Sequence, residues 1–491
     1  MCQFCGVDPA FATYFDSPEQ QIADTSSVAP TTSAPNFFRL KKTNKRYRGL
    51  TTQQLTTFAS SLSPNARLYM GHHREPYQQV LRRWSKCAVK AALAVVRVAT
   101  AEDVAKTIMM ANSHSVPFVV KCGGHSPGGA SSAGENGLVI DLGLLSDVSV
   151  KPDEQLVIAG GGCLSGDVNK AAAEYGLACG NPHNHGLTTI YVLRRLAVDN
   201  IVAAEVVTAN GQVLWASKED NQELFWAIRG AGNRFGVVTK FVIKAHPITD
   251  LVWGGVLMYT GDQLDSVVAA ANTWFSQRDK KAVAGLALGK GPDGQVGLTV
   301  LPFYNGTQAQ GEENFAPFLK INPVFQDTSV MPYWKINTLC DEAGLYAEDN
   351  IRFASANIQP PLSADHLRGA LDSLSRLYAT VPTSDKSGAL ILLVQPDGIE
   401  KQARTDMAYC WRDKNFDVGI AARWGAHDQE ESVIKWMREF QAHLVTMGDE
   451  FRLYSNHSDF EGPSSKEFGI NYLKLCELKK KWDPENVFKS L

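Results

Sequence analysis

Short apolar runs alternate with amphipathic segments between residues 90 and 247 of the chain. Four of these runs have the length of β-strands and are bounded by polar or glycine-rich sequence, namely 94–98, 116–120, 138–142 and 155–160. Thr100 and Asp103 indicate a helix start after the first run, because a threonine hydroxyl and a carboxylate three residues later can cap a helix. Asn210-Gly211 lies between two further runs and predicts a hairpin turn. The alternation predicts an α+β domain.

The pattern changes after Pro247. Further strands are predicted at 252–259, 296–303 and 390–394, and helices at 262–277, 363–377 and 430–446. These elements predict a second domain, in which helices cover one face of a sheet. We expect an N-terminal segment at 1–87 that is partly disordered over 1–45, domains at 88–248 and 249–450, and a C-terminal segment at 451–491.

The composition excludes several classes of protein. The 491 residues are 44% hydrophobic and 20% charged, which is typical of a globular protein, and the net charge of -3 leaves no basic footprint for a nucleic acid partner. The sequence contains no apolar run of the ~20 residues that a membrane span requires. The N-terminus lacks the pattern of a secretory signal, and nine cysteines in so long a chain do not form a disulfide framework. We therefore expect a cytoplasmic location without a membrane partner.

The candidate chemistry begins in a glycine-rich loop directly after the run 116–120. This loop, Cys122 to Ser132, contains four glycines and one histidine, His125. Glycine has no Cβ and adopts positive φ readily, so backbone N–H groups in such a loop can approach an anion closely. The loop alone has two interpretations: a phosphate cradle that carries a nucleophile, or an ordinary turn with a surface histidine.

Several motifs in order resemble the flavin-dependent oxidases of the berberine bridge enzyme type, which have a vanillyl-alcohol-oxidase-like (PCMH-type) FAD-binding domain. The motifs are VPFVVKCGGHSPGGASS, LAVDNIVAAEVVTANGQV, ELFWAIRGAGNRFGVVTKF and FGINYLKLCELKKKWDPENVF. The resemblance implies an α+β fold, with a two-subdomain FAD-binding domain at 88–248 and a substrate domain of antiparallel sheet and helices at 249–450. It also implies that the segment 451–491 returns to the FAD-binding domain.

The resemblance also implies which residues bind FAD. His125 would carry the flavin through a covalent bond from its ring to the methyl carbon of the isoalloxazine, and a neutral imidazole is a suitable nucleophile for this bond. Two alternatives stay open: the glycines near 236 only turn one strand into the next, and Asn471 and Tyr472 only begin and pack a helix. Further cofactor contacts are implied for Cys122, Gly123, Gly124, Ser126, Gly128, Gly129, Asp199, Asn200, Gly236, Val238, Asn471 and Tyr472.

The sequence departs from the family pattern between Gly186 and Leu196. A second glycine-rich loop is expected there, but its flanks are present without the glycine run, and Ile190, Tyr191 and Val192 are too bulky to replace it. Each lost backbone hydrogen bond to FAD would cost about 0.5–1.5 kcal/mol.

Histidine also replaces a cysteine in this region. His183 occupies the position at which bicovalent relatives have a cysteine, so a second, cysteinyl link is not expected. Cys179, His183 and His185 lack a fourth ligand, and no metal site is predicted.

The candidate catalytic bases are His457 and Tyr454. Many relatives have an Asn-Tyr pair before the C-terminal helix, whereas this chain has Asn456-His457. An imidazole with a pKa of about 6.5 is suited to removing a substrate proton, and Tyr454 is the substitute candidate. The alternative is that either side chain only lines the pocket.

The predicted function is that of an FAD-dependent oxidoreductase of the oxidase type. Hydride would pass from a small organic substrate, an alcohol, amine or phenol of the secondary-metabolite kind, to flavin N5, with molecular oxygen as electron acceptor. The alternative is an inactive or repurposed relative that binds FAD weakly or not at all, because the second loop is shortened; a gene model lacking part of an exon would give the same sequence. A nicotinamide dehydrogenase is disfavoured, since no GxGxxG joins a strand to a helix.

Overall fold

A small sheet with parallel strands opens the described part of the chain. The computed structural model describes residues 49–71, 75–179, 196–277, 279–336, 349–394, 399, 401–445, 464–489 and 491. The first sheet has the order β1-β2-β4-β3, with β4 parallel to both β2 and β3 and β1 antiparallel to β2. Its elements are β1 (Arg67–Tyr69), β2 (Ala94–Arg97), β3 (Phe118–Lys121), β4 (Leu138–Asp141), α1 (Thr52–Ala59), α2 (Glu75–Leu81) and α3 (Ala101–Ser113).

The predicted start of α3 is confirmed. The backbone N–H of Asp103 donates to the Thr100 hydroxyl at 3.1 Å, and the Asp103 carboxylate accepts from the Thr100 N–H at 3.1 Å. This reciprocal pair satisfies two N–H groups that a helix start otherwise leaves free. Val104 and Ile108 of α3 then pack into a buried cluster with Val96 of β2 and Ile140 of β4.

The second sheet is antiparallel and follows directly. Its order is β5-β6-β10-β8-β9, and β7 also pairs with β10. Gly211, with φ of +78°, turns the chain between β8 and β9 and confirms the predicted hairpin. The elements are β5 (Val148–Lys151), β6 (Leu156–Gly160), β7 (Leu177–Cys179), β8 (Ile201–Val207), β9 (Val213–Ser217), β10 (Val237–Pro247), α4 (Ser165–Ala173) and α5 (Gln222–Ala231).

Among the described residues, the third sheet has seven antiparallel strands in the order β14-β11-β13-β12-β16-β17-β15. Alternate residues of its strands join one core with three long helices, α6, α10 and α11, whose bounds follow. The elements are β11 (Leu251–Thr260), β12 (Ala282–Lys290), β13 (Val296–Tyr304), β14 (Phe325–Pro332), β15 (Asn350–Ile358), β16 (Gly388–Leu393), β17 (Phe416–Trp424), α6 (Leu264–Gln277), α7 (Gln308–Asn314), α8 (Ala316–Leu319), α9 (Tyr333–Ile336), α10 (Ala364–Thr380) and α11 (Glu430–Val445). The predicted α+β class, with an antiparallel sheet covered by helices, is confirmed.

The opposite face of the third sheet, here called the open face, is only half-buried at its centre. One cross-strand row on it consists of Met258, Thr299, Ala287, Leu390 and Gly419. The next row pairs Leu301 with Gly285 and Gly285 with Leu392, and at the edge of the sheet Asp417 lies opposite Asn357. The open face is therefore made of small and apolar side chains and carries Asp417 and Asn357 at one side.

The C-terminal segment packs on the first two sheets. It contains α12 (Ser464–Phe468) and α13 (Tyr472–Trp482). Leu475 and Leu478 of α13 belong to the core of the second sheet, and Phe488 packs with the core of the first. The Lys479 ammonium donates to the Arg234 carbonyl at 2.5 Å and to the Asp483 carboxylate at 2.6 Å. The domain boundaries stay a prediction; β1, which precedes the predicted boundary at 88, pairs with β2.

No helix among the described residues is both long enough and apolar enough to cross a membrane. The cysteines in this part of the chain, at positions 87, 122, 163, 179, 410 and 476, have free thiols.

Candidate functional site

The glycine-rich loop follows β3, at the carboxyl end of the parallel strands. Gly124 and Gly129 have φ of +70° and +78°, which L-residues with a Cβ rarely adopt. A Cβ on Gly124 would lie 3.1 Å from Cδ of Arg83, so this position is also sterically restricted. In the described part of the chain, no hydrogen bond uses the backbone N–H of Gly124, Ser126 or Gly128 as its donor. Backbone N–H groups in such a loop can donate to an anionic ligand.

The loop is anchored at its far end by neighbouring elements. The Ser132 hydroxyl donates to the Ala88 carbonyl at 2.6 Å, and the Arg83 guanidinium donates to the Ser131 carbonyl at 2.7 Å. Arg352 of β15 donates to the Pro127 carbonyl. Contacts from before β2 and from the third sheet therefore fix the loop on two sides.

His125 lies at the centre of the loop against an aromatic stack. Its ring is parallel to that of Trp84, with centroids 4.8 Å apart and planes 17° apart, and Trp84 contacts Phe353 of β15 at 5.1 Å. Burial lowers the pKa of His125 below that of an exposed imidazole. The ring is therefore neutral at physiological pH, which is the form that can act as a nucleophile.

Cationic side chains surround the loop. Burial lowers the pKa of Arg83 to about 10, while the nearby Asp141 carboxylate raises it, so the guanidinium remains charged at neutral pH. The Lys121 ammonium lies 2.8 Å from the Asp141 carboxylate, which is buried. The positive charge of Arg83 beside the backbone N–H groups of the loop favours an anion there.

Cys122 and Gly123 contact the turn that follows β6. The Cys122 thiol lies 3.6 Å from the Cys163 carbonyl, and burial raises the pKa of this thiol. A Cβ on Gly123 would lie 3.2 Å from the Leu164 side chain, which is exposed. The Cys122 thiol is protonated at neutral pH, so this side chain is a poor nucleophile beside His125.

Asp199 and Asn200 lie in a different environment from the loop. Both carboxylate oxygens of Asp199 accept from the Arg412 guanidinium at 2.8 Å, and both side chains are almost fully buried. The Asn200 side chain bonds His246 at 2.9 Å and the Leu196 carbonyl at 3.0 Å. Both residues thus already have protein partners.

Gly236 and Val238 belong to the region in which β10 joins β8. A Cβ on Gly236 would lie 2.6 Å from Cγ1 of Val206, so glycine is needed for the strands to approach. Val238 lies at an irregularity of the β8–β10 pairing. These contacts fit the alternative interpretation of the glycines near 236, in which they only turn one strand into the next.

Asn471 and Tyr472 differ in their burial. The Asn471 amide is buried and donates to the carbonyls of Arg404 and Met407 at 2.7 and 2.8 Å. Tyr472 is half-buried, and a hydrogen bond with Cys476 raises its pKa. Arg412 also donates to the Met407 sulfur at 3.0 Å. Asn471 and Asp199 are therefore joined through Arg412 and Met407 in one buried cluster.

The predicted site residues thus form two groups, one around His125 and one around Asp199 and Asn471. The candidate bases His457 and Tyr454, the histidines His183 and His185, and the shortened loop at 186–196 fall outside the described residues, apart from Leu196. Within those residues, no group of His, Cys, Asp and Glu side chains could hold a metal ion.

Sequence reasoning missed Trp84, Phe353, Arg83 and Arg412. Trp84 lies inside the upstream motif VLRRWSKC, but its contact with His125 spans many residues and has no periodic signal. Phe353 comes from another sheet altogether. The positive charge of Arg412 makes it a candidate partner for a buried Asp or Glu, but the sequence does not indicate which carboxylate it contacts.

Comparison with known proteins identifies the class to which the chain belongs. Residues 92–217 match the model of an FAD binding domain, and residues 453–490 match the model named berberine and berberine like. The FAD-linked oxidoreductase pgmH of Aspergillus terreus is 29% identical over 474 residues, which cover 90% of this chain and 95% of that protein.

Solved structures have the same architecture. The crystal structure of 6-hydroxy-D-nicotine oxidase from Arthrobacter nicotinovorans superposes with a TM-score of 0.75 at 25% identity, covering 87% of this chain and 97% of that one. A berberine bridge enzyme variant, solved with (S)-reticuline, superposes with a TM-score of 0.77 at 18% identity, covering 89% and 97%, and shows the shared fold alone.

The fold and the matched models define an FAD-linked oxidoreductase. More particularly, the chain is similar to berberine bridge enzyme-like proteins, which have an FAD-binding domain of the PCMH type. The resemblance in the sequence motifs is confirmed.

Proposed function

We propose that this oxidoreductase is an oxidase that oxidises a small organic substrate, with molecular oxygen as the electron acceptor. When bound, FAD supplies the chemistry of accepting hydride from the substrate and returning the electrons to oxygen as peroxide. The observation that carries the proposal is the neutral, stacked ring of His125 in a glycine-rich loop. A further support is the oxidase named among the similar solved structures.

FAD is held by the glycine-rich loop, and His125 is its covalent anchor. The N–H groups of Gly124, Ser126 and Gly128 would donate to the phosphates, with the charge of Arg83 nearby. A nitrogen of the neutral His125 ring would form the bond to the flavin methyl carbon, and the ring N–H and one methyl hydrogen would leave as protons. The flavin, when bound, would supply the acceptor for the two electrons of this oxidation, with oxygen as the final oxidant. We propose no second covalent link between the flavin and a cysteine, because His183 replaces the cysteine of bicovalent relatives.

The substrate lies against the open face of the third sheet. Phe353 is on this face of β15 and contacts Trp84, which contacts His125, so the face continues into the flavin anchor. Half-buried apolar side chains such as Met258, Leu301 and Leu390 suit the carbon skeleton of a small alcohol, amine or phenol. His457 or Tyr454 removes the substrate proton in this proposal.

The test is whether flavin stays on the unfolded protein. The purified full-length chain is precipitated with acid, and the visible spectra of pellet and supernatant are recorded. Yellow colour in the pellet is expected for the wild type, and His125→Ala should release all of it to the supernatant. His114→Ala, a histidine at the end of α3, is the matched control and should keep the wild-type pellet.

The outcomes separate the proposal from its alternative. A colourless protein that does not take up added FAD would favour the inactive or repurposed relative, in which the shortened loop abolishes cofactor binding. Flavin that remains in the pellet of His125→Ala would show that the attachment residue is a different one. Oxygen consumption with peroxide release, measured against a panel of alcohols, amines and phenols, tests the acceptor.

A further inference from the structure

Trp84 makes an aromatic contact with the proposed flavin anchor. The indole is buried, and it lies parallel to the His125 ring at 4.8 Å. The backbone N–H of Trp84 donates to the Gly124 carbonyl at 3.1 Å, so the residue holds the loop through its main chain as well as its ring.

The position of Trp84 is itself fixed by the third sheet. The next residue, Ser85, is fully buried and makes a reciprocal bond with Ile351 of β15: its hydroxyl donates to the Ile351 carbonyl at 2.8 Å and accepts from the Ile351 N–H at 2.9 Å. Phe353, two residues further along β15, contacts the indole with ring centroids 5.1 Å apart. The indole therefore contacts both β15 and the imidazole.

A stacked indole has two physical effects on an imidazole. It covers one ring face and removes water from it, which disfavours the charged form. It also restricts rotation of the ring. The nitrogens then keep one direction, and less rotational freedom is lost when a bond forms. Both effects favour a neutral nucleophile held in place.

We propose that Trp84 is a positioning residue for covalent attachment of the flavin, and that Phe353 supports it from β15. The inference depends on the proposed function, in which His125 forms the bond to the flavin. Trp84 itself does not react; it holds the imidazole in its reactive orientation, so its loss slows attachment without abolishing the ability to bind FAD.

The charged groups around His125 enter the pH dependence of attachment. Arg83 packs on Gly124, Lys121 is paired with Asp141 beneath the loop, and Arg352 bonds the Pro127 carbonyl. None of these groups is changed by a substitution at position 84. If such a variant shows a shifted pH profile of flavin attachment, the shift is therefore due to the loss of the indole that stacks on His125.

The experiment measures the rate of flavin attachment. Full-length variants purified with little flavin are incubated with FAD, and covalent flavin is followed by the fluorescence of the protein band on denaturing gels. Trp84→Ala should attach flavin roughly threefold to tenfold more slowly than the wild type, as expected for a lost aromatic pair contact. Trp84→Phe should restore the rate to within about twofold. Trp215→Ala, on β9, is the matched control and should be unchanged.

The pH profile distinguishes positioning from a merely structural role. Attachment should slow as pH falls through the pKa of His125, and in Trp84→Ala this midpoint should rise toward the ordinary imidazole value of about 6.5. A general loss of folding would lower the rate at every pH and leave the midpoint in place. If Trp84→Ala is insoluble, the attachment rates and midpoints of Trp84→Leu and Trp84→Phe are compared with those of the wild type instead.

The failures of the two proposals differ. A wild-type chain that never acquires covalent flavin would overturn the proposed anchor at His125. A wild-type chain that acquires it, with Trp84→Ala equal in rate and midpoint, would overturn the role of Trp84 alone.

Discussion

At the scale of single residues, the amide of Asn357 is an unusual feature of the described core. The side chain is buried on β15, and neither its nitrogen nor its oxygen has a hydrogen-bond partner in the described chain. An idle buried amide costs about 1–3 kcal/mol of folding free energy. Asn357 lies on the open face, about 13 Å along the strand from Phe353. Because the open face is the proposed substrate surface, we propose a polar group of the substrate as the partner of this amide.

Replacing Asn357 by leucine should separate stability from function. The variant Asn357→Leu should unfold at the same or a higher urea concentration than the wild type, by up to about 1 kcal/mol, because no bond is lost and a desolvated amide is removed. Oxidation of the preferred substrate should fall.

The matched control is Asn272→Leu. The Asn272 amide bonds both the carbonyl and the N–H of Leu362, at 2.9 and 2.8 Å, so this change should destabilise the fold by about 1–3 kcal/mol. If Asn357→Leu lost as much unfolding free energy as Asn272→Leu, the interpretation that the Asn357 amide has no hydrogen-bond partner would be contradicted.

At the scale of elements, helices α10 and α11 are joined by two stacked histidines. The rings of His366 and His443 lie 4.1 Å apart, and each donates from Nε2 to the backbone carbonyl of the other, at 2.7 and 2.9 Å. Because a carbonyl only accepts, both Nε2 atoms must carry hydrogen. Gly369 allows this approach, since a Cβ there would lie 2.9 Å from the His443 ring.

This helix pair should make the fold sensitive to mild acid. Burial lowers the pKa of His366, and the neighbouring His443 lowers it further against the opposing effect of the hydrogen bond. A histidine with a depressed pKa in the folded state binds protons more tightly when unfolded, so its contribution is present above the ordinary pKa and is lost as pH falls below about 6.5. The urea midpoint of the wild type should therefore drop between pH 7.5 and 5.5 more steeply than that of His366→Gln. His114→Gln should keep the wild-type slope; an equal slope in all three would contradict the prediction.

How well the sequence predicts an element depends on the composition of that element. Apolar runs predict the strands β2, β4 and β6, and two residues close together in sequence predict the cap of α3. The strands β12, β15 and β17 were not, since AVAGLALGK, NIRFASANI and FDVGIAARW are rich in alanine, glycine or polar residues with weak strand preference. They become strands because each is paired with strands that are distant in sequence, although β12 also pairs with its neighbour β13. His125 was predicted through its motif, whereas Trp84 and Phe353 depend on tertiary contacts that no local pattern contains.

At the scale of the whole molecule, the third sheet supports the flavin anchor directly. Arg352 bonds the loop, Phe353 packs on Trp84, and Ser85 bonds the backbone of Ile351, so three consecutive residues of β15 fix the surroundings of His125. The same strand carries Asn357 on the open face. The proposed anchor and the proposed substrate surface are thus built on one strand, which gives the reacting groups a common rigid support.

The central claim, that His125 links FAD to this chain, is tested most directly by the mass of the intact unfolded protein. The wild type, denatured and freed of bound ligands, should be heavier than the sequence mass by one FAD less two hydrogens, and digestion should place that increase on the peptide containing His125. His125→Ala should have its sequence mass alone. A wild-type chain at its sequence mass after incubation with FAD, or an increase that persists in His125→Ala, would contradict the account.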